Sequence, residues 1–402
     1  MDEKKSKFGS GLLAGIAMTL AVCIIGVSVL SLNGYSLEKK EIGNRNDVLT
    51  TGLNVDLLKK MSYINAIVDE YYLFDKSQED VENGVYAGMM AGLMDPYSVY
   101  YTKEEYDSLM ESTSGVFCGI GVVIQQDITT GIITVVRAMP GTPGEEAGFK
   151  SGDIIYAVDG VDVTGEDSSN VVAMIKGEEG TEVTVTVYRD GEKIDFTLKR
   201  AKIEMQTVEA KMLDNNIGYI QITEFDDVTV EQYSKAIEDL TNQGMEGLIV
   251  DLRDNPGGLL SSVCSMLDEM LPEGLIVYTE DKNGQREEEY SDEEHKFTKP
   301  LAVLINGSSA SASEIYAGAI KDYGIGTIIG TQSFGKGIVQ RIIELGDGSA
   351  LKLTISNYFT PNGNNIHKIG IEPDIVVELN SDTEEDEQLN KAIEVLTQEV
   401  GK

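Results

Sequence analysis

Histidine is the scarcest of the residues on which enzyme chemistry commonly leans. Two occur in 402 residues, His295 in "DEEHKF" and His367 in "NNIHKIG". Neither has an obvious Asp or Glu partner, and no G-x-S-x-G elbow occurs anywhere, so a histidine-activated nucleophile finds little support. Cysteine is nearly as rare. Cys23 lies in an apolar run and Cys118 and Cys264 in apolar contexts. With none at metal-ligand spacing, a disulfide scaffold drops out, and neither a metal nor another cofactor is expected. Basic charge is short as well: 32 Lys and Arg face 68 Asp and Glu, a formal charge of −36. Nucleic acid and anionic lipid are disfavoured as binding targets, since either needs a basic surface. An acidic, well-solvated surface is the plain reading.

One long apolar run is present. Phe8 to Leu37 carries no charge, and Leu12–Leu32 ("LLAGIAMTLAVCIIGVSVLSL") has about the 20 residues needed to cross a bilayer. Lys4, Lys5 and Lys7 precede it, whereas "EKKE" after it is mixed in sign. The charge bias predicts a single-pass anchor in the cell membrane with the rest of the chain on the extracytoplasmic side. A cleaved signal peptide is the competing reading, but no clean A-x-A site follows. A lipoprotein is disfavoured because Val22 stands where a small residue should precede Cys23.

Gly330–Gln340, "GTQSFGKGIVQ", imitates a nucleotide-binding P-loop. A P-loop lysine is followed by Ser or Thr and opens a helix. Here Gly337 follows Lys336, and "IVQRIIEL" and "LKLTIS" around the turn "GDGS" read as a β-hairpin. Lys336 therefore sits at a strand entrance, and phosphate binding is set aside.

Three segments follow the apolar run. From about Asp56 to Ser108, "LLKKMSYINAIVDEYYLF" has helical spacing that "VENGVYAGMMAGLM" extends, and "DPYS" (Asp95–Ser98) stops it. From about Ser114 to Arg200 the texture is β-rich. It contains short strand-like runs, one helix in "DSSNVVAMIKG" with Asp167 or Ser168 as cap, and a hairpin across Asp190-Gly191. This order resembles a PDZ domain, with "GIGV" (Gly119, Ile120, Gly121, Val122) where a carboxylate-binding loop belongs and "A-G-x-x-x-G-D-x-I" (Ala147–Ile155) behind it. The resemblance implies that backbone N–H groups of that loop receive a terminal carboxylate while an extended peptide pairs with the edge strand after it. Val122, Ile124, Val172 and Ile175 are candidates to line such a groove. From about Ala201 to Asn380 strands alternate with helices, which predicts an α/β core, and an acidic amphipathic helix ends the chain. The expected organisation is multidomain α/β (α+β). It comprises a stub and transmembrane helix (1–37), a helical arm (38–110), the PDZ-like β-rich domain (111–200), the core (201–380) and the terminal helix (381–402).

Two strand-to-helix turns of the core are rich in small residues, "DLRDNPGG" (Asp251–Gly258) and "INGSSASASE" (Ile305–Glu314). In the second, Ser311 falls near a helix start, where dipole and unpaired N–H groups favour an oxyanion; plain N-capping is the alternative. Without a histidine, a lysine can act as base if it is held neutral, at a cost of roughly 3–4 kcal/mol for a lysine working near neutral pH. Lys336 fits, because Thr331 through Gln340 carry no other charge in a chain where charge is abundant. Gln340, on the same strand parity, is placed to orient the amine.

"SASASEI" (Ser309–Ile315) followed by "TQSFGKGIVQ" (Thr331–Gln340) resembles the carboxyl-terminal processing peptidases, the tail-specific serine proteases. "DPYS", the PDZ-like segment, "DLRDNPGG" and "GIEPDIVV" (Gly370–Val377) resemble that family too, in order. The resemblance implies Ser311 as nucleophile, Lys336 as general base and Gln340 as the residue orienting the lysine. It also implies an oxyanion hole from the N–H of Ala312 and of a glycine in the "PGG" turn, Gly257 ahead of Gly258. Substrates are expected to be proteins or peptides with extended C-terminal tails, and the terminal helical segments to build a homodimer. His367 stands where the family usually has other residues and is read as incidental. The rival reading is a catalytically idle envelope scaffold that binds protein C-termini.

Overall fold

The computed structural model describes residues 55–292, 295–380, 383 and 385–400. The expected anchor, Leu12–Leu32, lies outside them. Among the described residues no helix is long and apolar enough to cross a membrane.

The chain divides at Gln78 into two compact units. Of the first, the described part is dominated by helix α1 (Val55–Tyr71), none of whose residues is buried. Leu58, Tyr63, Ile64 and Tyr71 are all exposed. The single long helix suggested by the sequence pattern is interrupted: the chain leaves helical geometry over Tyr72–Ser77, and a separate helix, α2 (Gln78–Ala91), follows. The break coincides with "FDKS", a polar cluster that favours a turn.

After the "DPYS" turn come strand β1 (Val99–Tyr101) and helix α3 (Lys103–Ser114). The start of α3 is written in "TKEE": the Thr102 hydroxyl accepts the Glu105 N–H while the Glu105 carboxylate accepts the Thr102 N–H. Its end is Gly115, at φ 69°.

The β-rich module hangs on a two-stranded stalk. Strand β2 (Val116–Gly119) brings the chain in, and its antiparallel partner, numbered β9 below, takes it out. Between them lie β3 (Val122–Gln126), β4 (Ile133–Ala138), α4 (Pro143–Ala147), β5 (Ile154–Val158), β6 (Val161–Asp162), α5 (Ser168–Ile175), β7 (Glu182–Arg189) and β8 (Glu192–Lys199), before β9 (Ala201–Glu204). The sheet order is β3-β4-β5-β7-β8, with β6 on β5, so β3 is an edge strand. The β7–β8 hairpin turns on Asp190 and Gly191, both at positive φ, as an Asp-Gly turn that follows the strand twist requires. Alternate residues Val183, Val185 and Val187 face the module's core with Val135, Ile155 and Val171. Of the two possible caps for α5, Asp167 is used; its carboxylate accepts the Ser169 N–H at 2.8 Å.

The α/β core follows with β10 (Val208–Met212), β11 (Ile217–Ile222), α6 (Asp227–Asn242), β12 (Gly247–Asp251) and α7 (Leu260–Asp268). A hairpin, β13 (Gly274–Asp281) and β14 (Arg286–Ser291), precedes β15 (Leu301–Ile305), α8 (Ala312–Tyr323) and β16 (Thr327–Gly330). Then come β17 (Ile338–Glu344), β18 (Ala350–Phe359), β19 (Ile375–Val376) and α9 (Glu387–Val400). The main sheet runs β10-β11-β12-β15-β16-β19, parallel except for β10. Both faces are covered, which explains strands that are apolar throughout. Val250, Val303 and Ile305 face α6, α7 and α8, while Ile249, Ala302 and Leu304 face Ala392 and Leu396 of α9. A second sheet, β1-β18-β13-β14 with β17 on β18, holds the hairpin expected around "GDGS".

Candidate active site

Strands β12, β15 and β16 are neighbours, all parallel, and release the chain at the same edge of the sheet, where open α/β folds place their ligand crevices. The turn after β12 carries Gly257, the turn after β15 carries Ser311, and the loop after β16 carries Lys336. These turns are stitched to one another. Ser309 Oγ donates to the Leu252 carbonyl at 2.7 Å. The Ala310 N–H and Ser313 Oγ donate to the Asn255 carbonyl at 3.1 and 3.0 Å, and the Phe334 N–H donates to the Ser309 carbonyl at 3.0 Å.

Ser311 immediately precedes α8 and sits at φ 56°, ψ −113°. A non-glycine residue in that region is strained, and such strain persists only where the surroundings enforce it. Here the Ser311 N–H donates to Glu314 Oε2 at 2.9 Å, and the Tyr358 hydroxyl donates to the Ser311 carbonyl at 3.0 Å.

Glu314 is the centre of the arrangement. It is fully buried, yet its carboxylate accepts four hydrogen bonds. Oε2 receives the N–H groups of Ser311 (2.9 Å) and Lys336 (2.8 Å); Oε1 receives the Ser333 hydroxyl (2.6 Å) and the Gly335 N–H (2.7 Å). One carboxylate oxygen thus fixes the backbone of both Ser311 and Lys336. Sequence reasoning did not single it out, although Ser311-x-x-Glu314 has the S-x-x-E form of a helix N-terminus.

The Lys336 side chain is half-buried, with its ammonium 4.7 Å from the centroid of the Tyr97 ring. Burial holds its pKa below the ordinary lysine value; the charge of Lys352 adds to this and that of Glu314 opposes it. Among the described residues no hydrogen bond joins Lys336 to the Ser311 hydroxyl or to Gln340. The Gln340 amide donates instead to Thr354 Oγ1 at 3.3 Å, across the β17–β18 pairing.

Gly257 lies hard against the serine. A Cβ there would fall 2.7 Å from the Ala310 carbonyl oxygen and 2.8 Å from the Ser311 Cβ, at φ 108°. Its N–H, expected in the oxyanion hole, donates to Asn255 Oδ1 at 2.8 Å in this structure. The Ala312 N–H belongs to the first turn of α8, where a helix supplies no acceptor of its own. The "DLR" part of the same turn is structural: Arg253 bridges Asp251 (2.5 Å) and Asp386 (2.8 Å), tying the segment before α9 to the end of β12.

Among the described residues neither histidine is hydrogen-bonded to Ser311 or Lys336. His295 faces Asp292 at 3.8 Å. The backbone of His367 packs on Gly337, and its buried Nδ1 has no partner among the described residues.

In the β-rich module, Gly119, Ile120, Gly121 and Val122 line a groove of about 220 Å³ together with Phe117, Ile124, Val172 and Ile175. Gly121 is at φ 71°, and a Cβ there would strike Thr142 within 2.3 Å, so this loop requires glycine. The groove runs between α5 and edge strand β3. A larger cleft, about 630 Å³, lies between β9, β10 and α6 and contains none of the expected catalytic residues.

Comparison with known proteins bears on the β-rich module and the α/β core. The family model described as peptidase family S41 matches residues 216–377, and one for the PDZ domain matches residues 134–189. The carboxy-terminal processing protease CtpA of Bacillus subtilis (strain 168) is 40% identical over 361 residues, spanning 89% of this chain and 76% of that one. The chain belongs to peptidase family S41. CtpB of the same organism is 36% identical over 326 residues, covering 80% of this peptidase and 68% of the relative. The solved structure of a photosystem II D1 C-terminal processing protease covers 85% of this chain and 91% of its own, with 28% identity and a TM-score of 0.48. The peptidase is therefore a serine-type enzyme of the carboxy-terminal processing kind, with a PDZ domain and a mixed α/β core.

Proposed function

We propose that the peptidase is an endopeptidase working through a Ser311–Lys336 dyad on proteins whose C-terminal tails its PDZ domain holds. The observation that carries this reading is the shared anchor at Glu314, which fixes a strained serine and a lysine of depressed pKa to one carboxylate. An extended tail adds to the free edge of β3, with its terminal carboxylate at the N–H groups of Gly119–Val122. Ser311 Oγ attacks the scissile carbonyl and passes its proton to the Lys336 amine. The tetrahedral oxyanion is met by the Ala312 N–H and one from the Gly257–Gly258 turn. The Lys336 ammonium then protonates the leaving amine, and water drawn up by the same amine releases the acyl group.

Two local adjustments belong to this cycle. The Gly257 N–H must leave Asn255 Oδ1, or Gly258 must supply the donor in its place. Gln340 must turn from Thr354 to the lysine. Both suit a resting arrangement that the PDZ domain gates on binding a tail. Deleting residues 114–200 and finding activity and tail dependence unchanged would reject that gating.

We further propose that Leu12–Leu32 anchors the peptidase in the cell membrane with its catalytic core on the extracytoplasmic side, and that exposed Leu58, Tyr63 and Ile64 of α1 belong to a homodimer contact. Alkaline extraction from membranes and a sedimentation mass test these two points; a soluble, monomeric chain refutes them. The dyad itself is tested by Ser311→Ala and Lys336→Ala, each expected to abolish cleavage with folding intact.

A further inference from the structure

The "DPYS" turn takes no part in the steps above, yet it is held with unusual care. Asp95 Oδ1 accepts the Tyr97 N–H at 3.1 Å, and Asp95 Oδ2 accepts the Ser98 hydroxyl at 2.6 Å. Ser98 Oγ in turn accepts the Thr354 N–H of β18 at 3.1 Å, and β1 continues the attachment by pairing Val99 with Lys352. The turn is thereby pinned to the strand that also faces Gln340. What it presents there is the half-buried Tyr97 ring, its centroid 4.7 Å from the Lys336 ammonium nitrogen.

We propose that Tyr97 is a positioning residue for the general base: its ring face holds the Lys336 amine and stabilises the ammonium that forms as Ser311 loses its proton. This rests on the Ser–Lys reading above. A carboxylate in that place would keep the lysine charged before reaction and disable it. A ring quadrupole attracts the ammonium and has little hold on the neutral amine, so its stabilisation appears mainly as proton transfer proceeds. The separation is within the roughly 6 Å over which such attraction operates. The other charged groups around the lysine do not duplicate the role. Lys352 of β18 opposes the ammonium, Glu314 of α8 is committed to four hydrogen bonds, and Asp95 is committed to its own turn and faces His367. The "DPYS" motif then has a mechanistic reason: Asp95 and Ser98 build the turn, and Tyr97 is its working side chain.

The test compares Tyr97→Phe, Tyr97→Leu and Lys336→Ala in the full-length chain in detergent, following cleavage of a peptide substrate across pH. Phe keeps the ring and should keep activity. Leu keeps an apolar wall without a quadrupole. It should lower kcat about 5- to 10-fold, leave KM unchanged, and move the acid limb of kcat/KM to lower pH by about half a unit or more. If Leu matches the wild type in kcat and acid limb while Lys336→Ala is inactive, the ring is only a wall and the inference fails alone. If Lys336→Ala still cleaves, the dyad reading fails with it. Should Leu not fold, pentafluorophenylalanine at position 97 keeps the ring's shape and inverts its quadrupole. It must reproduce the loss that Phe does not show, and wild-type kinetics from it overturns the inference.

Discussion

Replacing Glu314 by Gln removes one negative charge and one accepting oxygen with almost no change of volume, so the cost can be worked from its hydrogen bonds. The wild-type carboxylate accepts from Ser311 and Lys336 on one oxygen and from Ser333 and Gly335 on the other. A glutamine keeps one accepting oxygen, best spent on the first pair. Its NH₂ then faces the Ser333 hydroxyl, which can turn to accept, and the Gly335 N–H, which cannot. Orphaning one buried N–H costs about 1–3 kcal/mol, and the surviving bonds lose their charge assistance, for a total of roughly 3–5 kcal/mol. Because the lost bond belongs to the lysine loop, Lys336 should also shift against Ser311, and a misplacement near 1 Å costs about 10²-fold in rate. Removing the Glu314 charge takes away an influence that raises the Lys336 pKa, so any residual activity should show its acid limb at lower pH. Urea unfolding followed by circular dichroism, with pH–rate profiles on the same preparations, measures all three effects. A Glu314→Gln enzyme within about 1 kcal/mol of wild type and with wild-type kcat would refute the reasoning, since charge-assisted acceptors of this kind are expected to matter more than that.

Other outcomes follow from buried charge and close packing. The Lys336 pKa is depressed in the folded state, so between that value and the ordinary lysine range the unfolded chain binds more protons and stability rises with pH. Lys336→Met should lose this rise and gain about 1 kcal/mol near pH 7, read as a higher urea midpoint. Asp226 behaves oppositely: burial first, then the charges of Glu224 and Asp227, push its pKa up to about 7. The folded state therefore holds an extra proton between about pH 4 and 7, and stability falls as pH rises through that window. Asp226→Asn should abolish this fall and add on the order of 2 kcal/mol above pH 7, seen in melting curves across pH. Gly257→Ala would force a Cβ to 2.8 Å from that of Ser311 at φ 108°. Its kcat should drop by about 10²-fold or more, with tail binding measured by calorimetry unchanged.

Much of the framework is legible in the residues because local and global signals agree there. The Asp190-Gly191 hairpin, the glycine-terminated helix α8 and the two-faced strands of the main sheet follow from turn chemistry and periodicity alone. Ser311 and Lys336 stand out as candidates for a different reason, a strand-to-helix turn of small residues and an uncharged island in an acidic chain. What escapes is mostly what depends on partners distant in sequence. The role of Glu314 needs the loop after β16 to fold back onto α8, and that of Tyr97 needs β1 to pair with β18. The hairpin β13–β14 escapes because "REEEYS" is polar on both faces, although Asn283-Gly284 marks its turn. The side-chain bond from Gly257 to Asn255, which occupies an expected oxyanion donor, has no sequence signal beyond the "DNPGG" turn itself.

The most direct test of the dyad is cleavage of casein by the full-length chain in detergent, with Ser311→Ala and Lys336→Ala beside the wild type and circular dichroism confirming the fold of each. The account predicts cleavage by the wild type alone. Cleavage by either variant at the wild-type rate would contradict it, and a wild type that stays inert even with C-terminal peptides added would favour a scaffold that binds tails without cutting them.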